Sequence, residues 1–137
     1  METAEAKALE SIDRFVSFYQ ENALTLPCRK VELTGRKSTN PKIIRTLLGY
    51  ELQIGGKRFS CPDIPTALFL KVFALIGIKE VSVPLDPTKT ADMVPELEKR
   101  LNEIFQFRSQ LESGNSNKAG LKIQSLLKSR IKNLGGR

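Results

Sequence analysis

The side chains best suited to chemistry in this 137-residue chain are basic ones, and they gather in two blocks. Residues 28–60 carry eight cations against two acids, a net charge of +6, and residues 113–137 carry six cations and no acid. The whole chain sums to +7, so the remainder is slightly acidic. This uneven distribution favours contact with a polyanion or with an acidic protein surface.

The first basic block surrounds a predicted helix start. Asn40 is a good N-cap and Pro41 suits the first helical position, so the pattern predicts a short helix over residues 42–48 that ends at Gly49. The N-terminus of such a helix attracts phosphate through its free N–H groups. The predicted phosphate-binding residues of this block are Arg29, Lys30, Arg36, Lys37, Ser38, Lys42, Arg45, Lys57 and Arg58. A solvated loop, or a phosphorylation site at Ser38 or Thr39, are the alternative interpretations.

The second basic block is a cationic, amphipathic C-terminal tail. Its apolar residues recur at spacings of 4, 4 and 3, which places Ile123, Leu127, Ile131 and Leu134 on one helical face. Its basic residues are Lys118, Lys122, Lys128, Arg130 and Lys132. Such a helix folds on nucleic acid, lies on an anionic membrane, docks its apolar face on a protein partner, or packs back on its own domain. The narrow face without aromatic residues weakens the membrane interpretation.

Catalytic and metal-binding chemistry finds little support in the residue types. The chain has no histidine, which removes the commonest general base and transition-metal ligand. The segment Gly35-Arg36-Lys37-Ser38 ends like a phosphate-binding P-loop but lacks the glycine before the lysine. Cys28 and Cys61 are too few for a zinc site and are expected to be reduced structural thiols, with a disulfide or a redox role as alternatives. We therefore expect no enzyme, no cofactor and no metal.

The elements that position these residues form an α+β pattern. Apolar spacing predicts helices over residues 3–22 and 64–76, the second capped by Asp63 and ended by Gly77. A third helix is predicted to begin at Asp92, or at Thr90, and to continue to residue 112, since Pro95 suits only a first turn. Strands are predicted over residues 28–33 and 78–83, and as a hairpin over residues 50–61 joined by Gly55-Gly56. We expect one small, mostly antiparallel sheet centred on that hairpin and packed by three to four helices.

Domain organisation follows from composition. Residues 1–112 are predicted to form a single α+β domain, residues 113–117 (Ser-Gly-Asn-Ser-Asn) a linker, and residues 118–137 the basic tail. The N-terminus lacks the features of a secretory signal, and the most apolar window, residues 67–78, is too short to span a bilayer. We expect a cytoplasmic protein without a membrane span.

Two functional hypotheses remain from the sequence. The first is a non-enzymatic nucleic-acid-binding protein that contacts phosphates through both basic blocks with low sequence specificity. The second is a regulatory adaptor that binds a protein partner through the apolar face of the tail, with the basic residues steering it to an acidic surface. A heptad-like stripe between Val94 and Leu111 also suits the interface of a homodimer as well as a core.

Overall fold

The computed structural model describes residues 4–33, 40–114, 123 and 125–132. Its elements follow one another as α1 (Ala4–Asn22), β1 (Cys28–Glu32), β2 (Lys42–Thr46), β3 (Gly49–Ile54), β4 (Lys57–Cys61), α2 (Ile64–Ile76), β5 (Glu80–Pro84) and α3 (Pro87–Gly114), and then α4 (residues 125–132). Every strand pairing is antiparallel, and the α+β class is as predicted. The strands form two sheets rather than the single sheet expected, one of β1 and β5 and one in the order β2-β3-β4.

The segment predicted as a helix over residues 42–48 is strand β2, so that prediction is wrong. Three of the five residues in β2 are β-branched, namely Ile43, Ile44 and Thr46, and such side chains favour strands. Partners across β3, with Lys42 opposite Gln53, supply the backbone hydrogen bonds that a helix would have made internally. No helix N-terminus therefore exists at Pro41, and the expected helical phosphate site disappears with it.

Two tight turns organise the three-stranded sheet. Ile54 lies opposite Lys57, so Gly55-Gly56 form the turn between β3 and β4. Of these two only Gly55 has a positive φ, at 59°, which is the sign pattern of a type II′ turn. Gly49 follows the turn between β2 and β3 with φ 147°, and a Cβ there would lie 3.0 Å from the Cys61 carbonyl oxygen. Gly49 thus permits a close backbone approach, and it does not end a helix.

Helix α2 is the buried centre of the molecule, as its nearly continuous apolar sequence predicts. The Asp63 carboxylate accepts a hydrogen bond from the Thr66 N–H at 2.8 Å, and Gly77, with φ 91°, donates to the Phe73 carbonyl at 3.0 Å. The helix contacts all three strands of the β2-β3-β4 sheet and also α3. Its Phe73 packs on Phe15 and Tyr19 of α1, with ring centroids 5.9 and 4.8 Å away.

Helix α3 begins earlier than the sequence predicted. Asp86 is its cap, because its carboxylate accepts from the Thr88 N–H at 2.9 Å, and Pro87 takes the first helical position. Pro95 therefore lies inside the helix, on the exposed side, where its missing N–H removes one intrahelical bond. The stripe Val94, Leu97, Leu101 and Ile104 is buried in the core, while the Leu111 side chain is outside the described part.

The boundary between domain and tail also differs from the prediction. Ser113 and Gly114, predicted as linker, belong to α3, and residues 115–117 lie outside the described part of the chain. In the tail, Ile123, Leu127 and Ile131 are buried in the same core as α1, α2 and α3. Within the described ranges, no helix is both long enough and apolar enough to cross a membrane.

Candidate polyanion-binding surface

The predicted phosphate-binding residues were grouped by sequence, and the structure divides them among several elements. Arg29 and Lys30 lie on β1, Lys42 and Arg45 on β2, and Lys57 and Arg58 on β4. Arg36, Lys37 and Ser38 fall outside the described residues, as do Lys118 and Lys122 of the tail and Leu134 of its apolar face.

On β1, one of the two cations is already paired. The Lys30 ammonium lies 3.3 Å from the Glu80 carboxylate on the neighbouring strand β5, and the register sets Glu32 directly opposite Glu80. Two acids therefore flank Lys30, which weakens its attraction for phosphate. Arg29 is exposed on the alternate face and makes no ion pair within the described part of the chain.

The three-stranded sheet places one row of polar residues on its outer face. The register aligns Lys42 with Gln53 and Gln53 with Arg58, and directly opposed side chains share a face. Arg58 lies 3.7 Å from the Glu51 carboxylate, whereas Lys42 has no acidic partner among the described residues. The inner face carries Leu52 and Ile54, which are buried. The row formed by Lys42, Gln53 and Arg58 is thus polar and positively charged, whereas the next row of the outer face sets Ile44 opposite Glu51.

Arg45 and Lys57 alternate onto the inner side of the sheet but emerge at its edges, where both are exposed. Arg45 pairs with Tyr50 at one end of β3, and Lys57 pairs with Ile54 at the other end. Tyr50 and Ile54 are four residue steps apart on β3, which is roughly 13 Å along the sheet. Lys42, Lys57 and Arg58 therefore gather at the Gly55-Gly56 end, and Arg45 stands apart from them.

The tail cations lie elsewhere on the molecule. Arg130 of α4 forms an ion pair with Asp13 of α1, Lys128 is half-buried and Lys132 is exposed. Because α1 packs on α3 and on α2 rather than on the β2-β3-β4 sheet, the described tail cations lie apart from the cations of that sheet. The sequence could not show this, since spacing along a chain does not specify which elements become neighbours.

The apolar face of the tail, predicted to bind a partner, is occupied within the molecule. Ile123, Leu127 and Ile131 are at most 4% exposed, and Leu127 is fully buried. An adaptor role through this face would require α4 to leave the body, and it stays a prediction. The interpretation in which the tail packs back on its own domain matches this arrangement.

One surface feature was missed by the sequence reasoning. Leu47 and Leu48 form the turn between β2 and β3 and are completely exposed, at 104% and 98%. Two adjacent leucines followed by glycine, between two runs of strand-forming residues, were the available signal. The predicted helix over residues 42–48 hid that signal, because it placed both leucines inside a helix rather than in a turn.

The two thiols are free and suited to packing rather than to nucleophilic chemistry. Cys28 is half-buried, with its sulfur 3.2 Å from the Ala23 carbonyl oxygen, and burial raises its pKa. Burial also raises the pKa of Cys61, and the backbone hydrogen bond with Leu52 and the nearby Arg29 guanidinium offset this only in part. Neutral thiols are poor nucleophiles and poor metal ligands. No cluster of three or more metal-ligating side chains occurs in the described part of the chain.

A small cleft opens between α2 and α3, lined by Leu68, Leu75 and Leu101 with Lys71 and Glu98 at its rim. It encloses about 50 Å³. Ligand pockets in proteins are usually ~300–1,000 Å³. The cleft therefore suits a packing defect between helices better than a small-molecule site.

No protein-family model, curated protein or solved structure matches this chain.

Proposed function

We propose that this chain is a non-enzymatic, cytoplasmic nucleic-acid-binding protein that contacts phosphates through the Gly55-Gly56 end of its three-stranded sheet. The observation that carries the proposal is the pair of exposed lysines at that end, Lys42 and Lys57, which have no acidic partner among the described residues. Arg58 adjoins them and shares its charge with Glu51. Unpaired, solvated cations release counterions when they meet a polyanion, and that release drives non-specific binding.

The polar row favours contact with the nucleic-acid backbone over the bases. Gln53 stands between Lys42 and Arg58; its amide nitrogen donates to the Glu51 carboxylate at 3.0 Å and has a second hydrogen for a phosphate or sugar oxygen. Stacking on bases requires exposed aromatic rings, and the nearest rings, Tyr50 and Phe59, are half-buried on the inner face. Low sequence specificity follows, because phosphate contacts carry no direct sequence information.

The test is fluorescence anisotropy of the full chain on labelled single- and double-stranded oligonucleotides between about 50 and 200 mM salt. The variant Lys42→Gln/Lys57→Gln removes two cations from the proposed surface. Its matched control is Lys7→Gln/Lys99→Gln, which removes two exposed cations from α1 and α3.

Loss of two phosphate contacts lowers the slope of log K against log salt by about 1.8 on duplex DNA. We expect that reduction in the sheet variant and an unchanged slope in the control. Equal slopes for the two variants would show that the binding surface does not include the sheet lysines. Absence of binding by the wild-type chain at low salt would refute the proposed function itself.

A further inference from the structure

The end of the three-stranded sheet opposite the lysines carries a concentration of exposed apolar side chains. Leu47 and Leu48 protrude completely, and Ile44 and Ile64 are about two-fifths exposed, at 41% and 40%. They belong to one end of the sheet, because Thr46 pairs with Gly49 across the turn and Cys61, three residues before Ile64, pairs with Tyr50. Exposed apolar groups that cluster in this way mark a contact surface.

The conformation of the turn does not explain the two leucines. Two-residue turns between antiparallel strands favour glycine or asparagine with positive φ, whereas neither leucine has a positive φ. A turn without positive φ at its two central residues does not match the twist of the strands, and Gly49, with φ 147°, accommodates the difference. The leucines are therefore dispensable for the turn, and a polar residue would serve equally well at either position.

The charges near the turn that have no ion-pair partner among the described residues are positive. Arg45 lies two residues before Leu47 and is exposed, and the Arg29 guanidinium lies close enough to Cys61 to lower the pKa of that thiol. Neither arginine has an acidic partner within the described residues. The acid nearest in sequence, Glu51, is paired with Arg58 at 3.7 Å, and Asp63 is engaged in capping α2. The surface thus combines a protruding aliphatic tip with unpaired cations beside it.

We propose that the Leu47-Leu48 turn inserts into the surface of an anionic lipid bilayer, with Arg45 and Arg29 at the headgroup phosphates. A convex tip needs no complementary pocket when its occupant is a deformable bilayer, and anionic lipids attract nearby cations. A second copy of the chain is a poorer occupant, because it would bring the same arginines against each other. Nucleic acid is also poorer, since a phosphate backbone offers aliphatic side chains nothing to bury against. This inference goes beyond the proposed function and does not depend on it.

The absence of tryptophan from the sequence allows a selective probe of insertion. Leu48→Trp places one indole at the turn, and Leu85→Trp places one at an exposed leucine, 58% accessible, between β5 and α3. Each full-chain variant is titrated with vesicles of phosphatidylcholine alone or with about 30 mol% phosphatidylserine. We expect a blue shift of the emission and quenching by brominated acyl chains for Leu48→Trp on the anionic vesicles only. The Leu85→Trp emission is expected to stay unchanged.

The contribution of the leucines is measured on the same vesicles by co-sedimentation of Leu47→Ser/Leu48→Ser. Burial of one leucine side chain is worth roughly a factor of ten or more, so partial insertion of two predicts at least about tenfold weaker binding. Leu85→Ser is the matched control and is expected to bind like the wild type. Far-UV circular dichroism verifies that all four variants are folded.

The other results of these experiments overturn the inference. If the wild type binds the vesicles but the emission of Leu48→Trp does not shift, the attraction is purely electrostatic. Equal emission shifts at positions 48 and 85 would show that the turn is not the point of insertion. Equal binding to neutral and anionic vesicles would show that the arginines do not contribute to binding. A concentration-dependent dimer that Leu47→Ser/Leu48→Ser dissociates, seen by sedimentation velocity without lipid, assigns the turn to a second copy instead.

Discussion

The Tyr19 hydroxyl joins α1 to β5 and offers a sharp test of the packing described above. It donates to the Ser82 carbonyl at 3.1 Å and accepts from the Ser82 N–H at 3.2 Å. Both backbone groups of Ser82 therefore point away from its partner Lys30 on β1, toward the outer edge of β5. Tyr19 is only 3% exposed, so water does not replace the hydroxyl when it is removed.

Tyr19→Phe keeps the ring packed on Phe69 and Phe73 and removes both hydrogen bonds. Two such bonds contribute ~0.5–1.5 kcal/mol each, and orphaned buried groups cost more, so we expect a loss of about 2 kcal/mol in the free energy of unfolding. The measurement is urea denaturation at constant m-value. The control is Tyr50→Phe, since the half-buried Tyr50 hydroxyl makes no hydrogen bond within the described ranges. A Tyr19→Phe loss below about 0.5 kcal/mol, or one matched by Tyr50→Phe, would refute the reasoning.

The pH dependence of this contribution has a definite sign. Burial raises the pKa of Tyr19 from 10.0 to about 12. Because the unfolded chain loses this proton first as the pH rises, the contribution is complete below pH 10 and is lost between about pH 10 and 12. A shift of two pKa units corresponds to about 3 kcal/mol. The stability of the wild type is therefore expected to fall more steeply than that of Tyr19→Phe across this window, as measured by urea denaturation at each pH.

Three further substitutions test the fold. Gly49→Ala forces a Cβ to within 3.0 Å of a backbone oxygen at φ 147°, so we expect a loss of ~1–3 kcal/mol by chemical denaturation, whereas Gly56→Ala, with open space, should cost less than about 1 kcal/mol. Asp86→Ala removes the α3 cap and should cost about 1 kcal/mol, and an equal or larger loss from Asp92→Ala would move the helix start back to the position that the sequence suggested. Leu127→Ala should lower the free energy of unfolding by ~2–5 kcal/mol because its side chain is fully buried. An unchanged stability would show that α4 does not pack on the core.

Elements with strong local signals were predictable from the sequence. Helix α1 has an amphipathic period, α2 has both caps and an apolar run, and the β3–β4 hairpin has its two glycines, so each carries its own evidence. The α3 start was misplaced because Pro95 was assumed to need a first turn. In the structure one lost hydrogen bond on an exposed face of a long helix is tolerated.

Features that depend on long-range pairing were not predictable. Lys42–Thr46 carries helix-start and helix-stop signals in its flanks, and its pairing with β3 overrides them. The arrangement of the candidate site could not be predicted for the same reason. The strand cations Arg29, Lys30, Lys42, Arg45, Lys57 and Arg58 are exposed, whereas Lys128 and Arg130 of the tail are half-buried. The partition of Arg45 and Lys42 between two faces, and the pairing of Lys30 with Glu80, follow from strand register rather than from spacing.

The contact between α4 and α1 has a consequence for how the protein is made. Asp13 and Arg130 are about a hundred residues apart in sequence, and a loop of that length closes at only a modest extra entropic cost. While a ribosome synthesises the residues between them, α1 is already complete, but Leu127 and Ile131 are missing from its core. The nascent chain therefore exposes apolar surface until α4 emerges. In this interval we expect recognition by chaperones, and aggregation if translation stalls before residue 123.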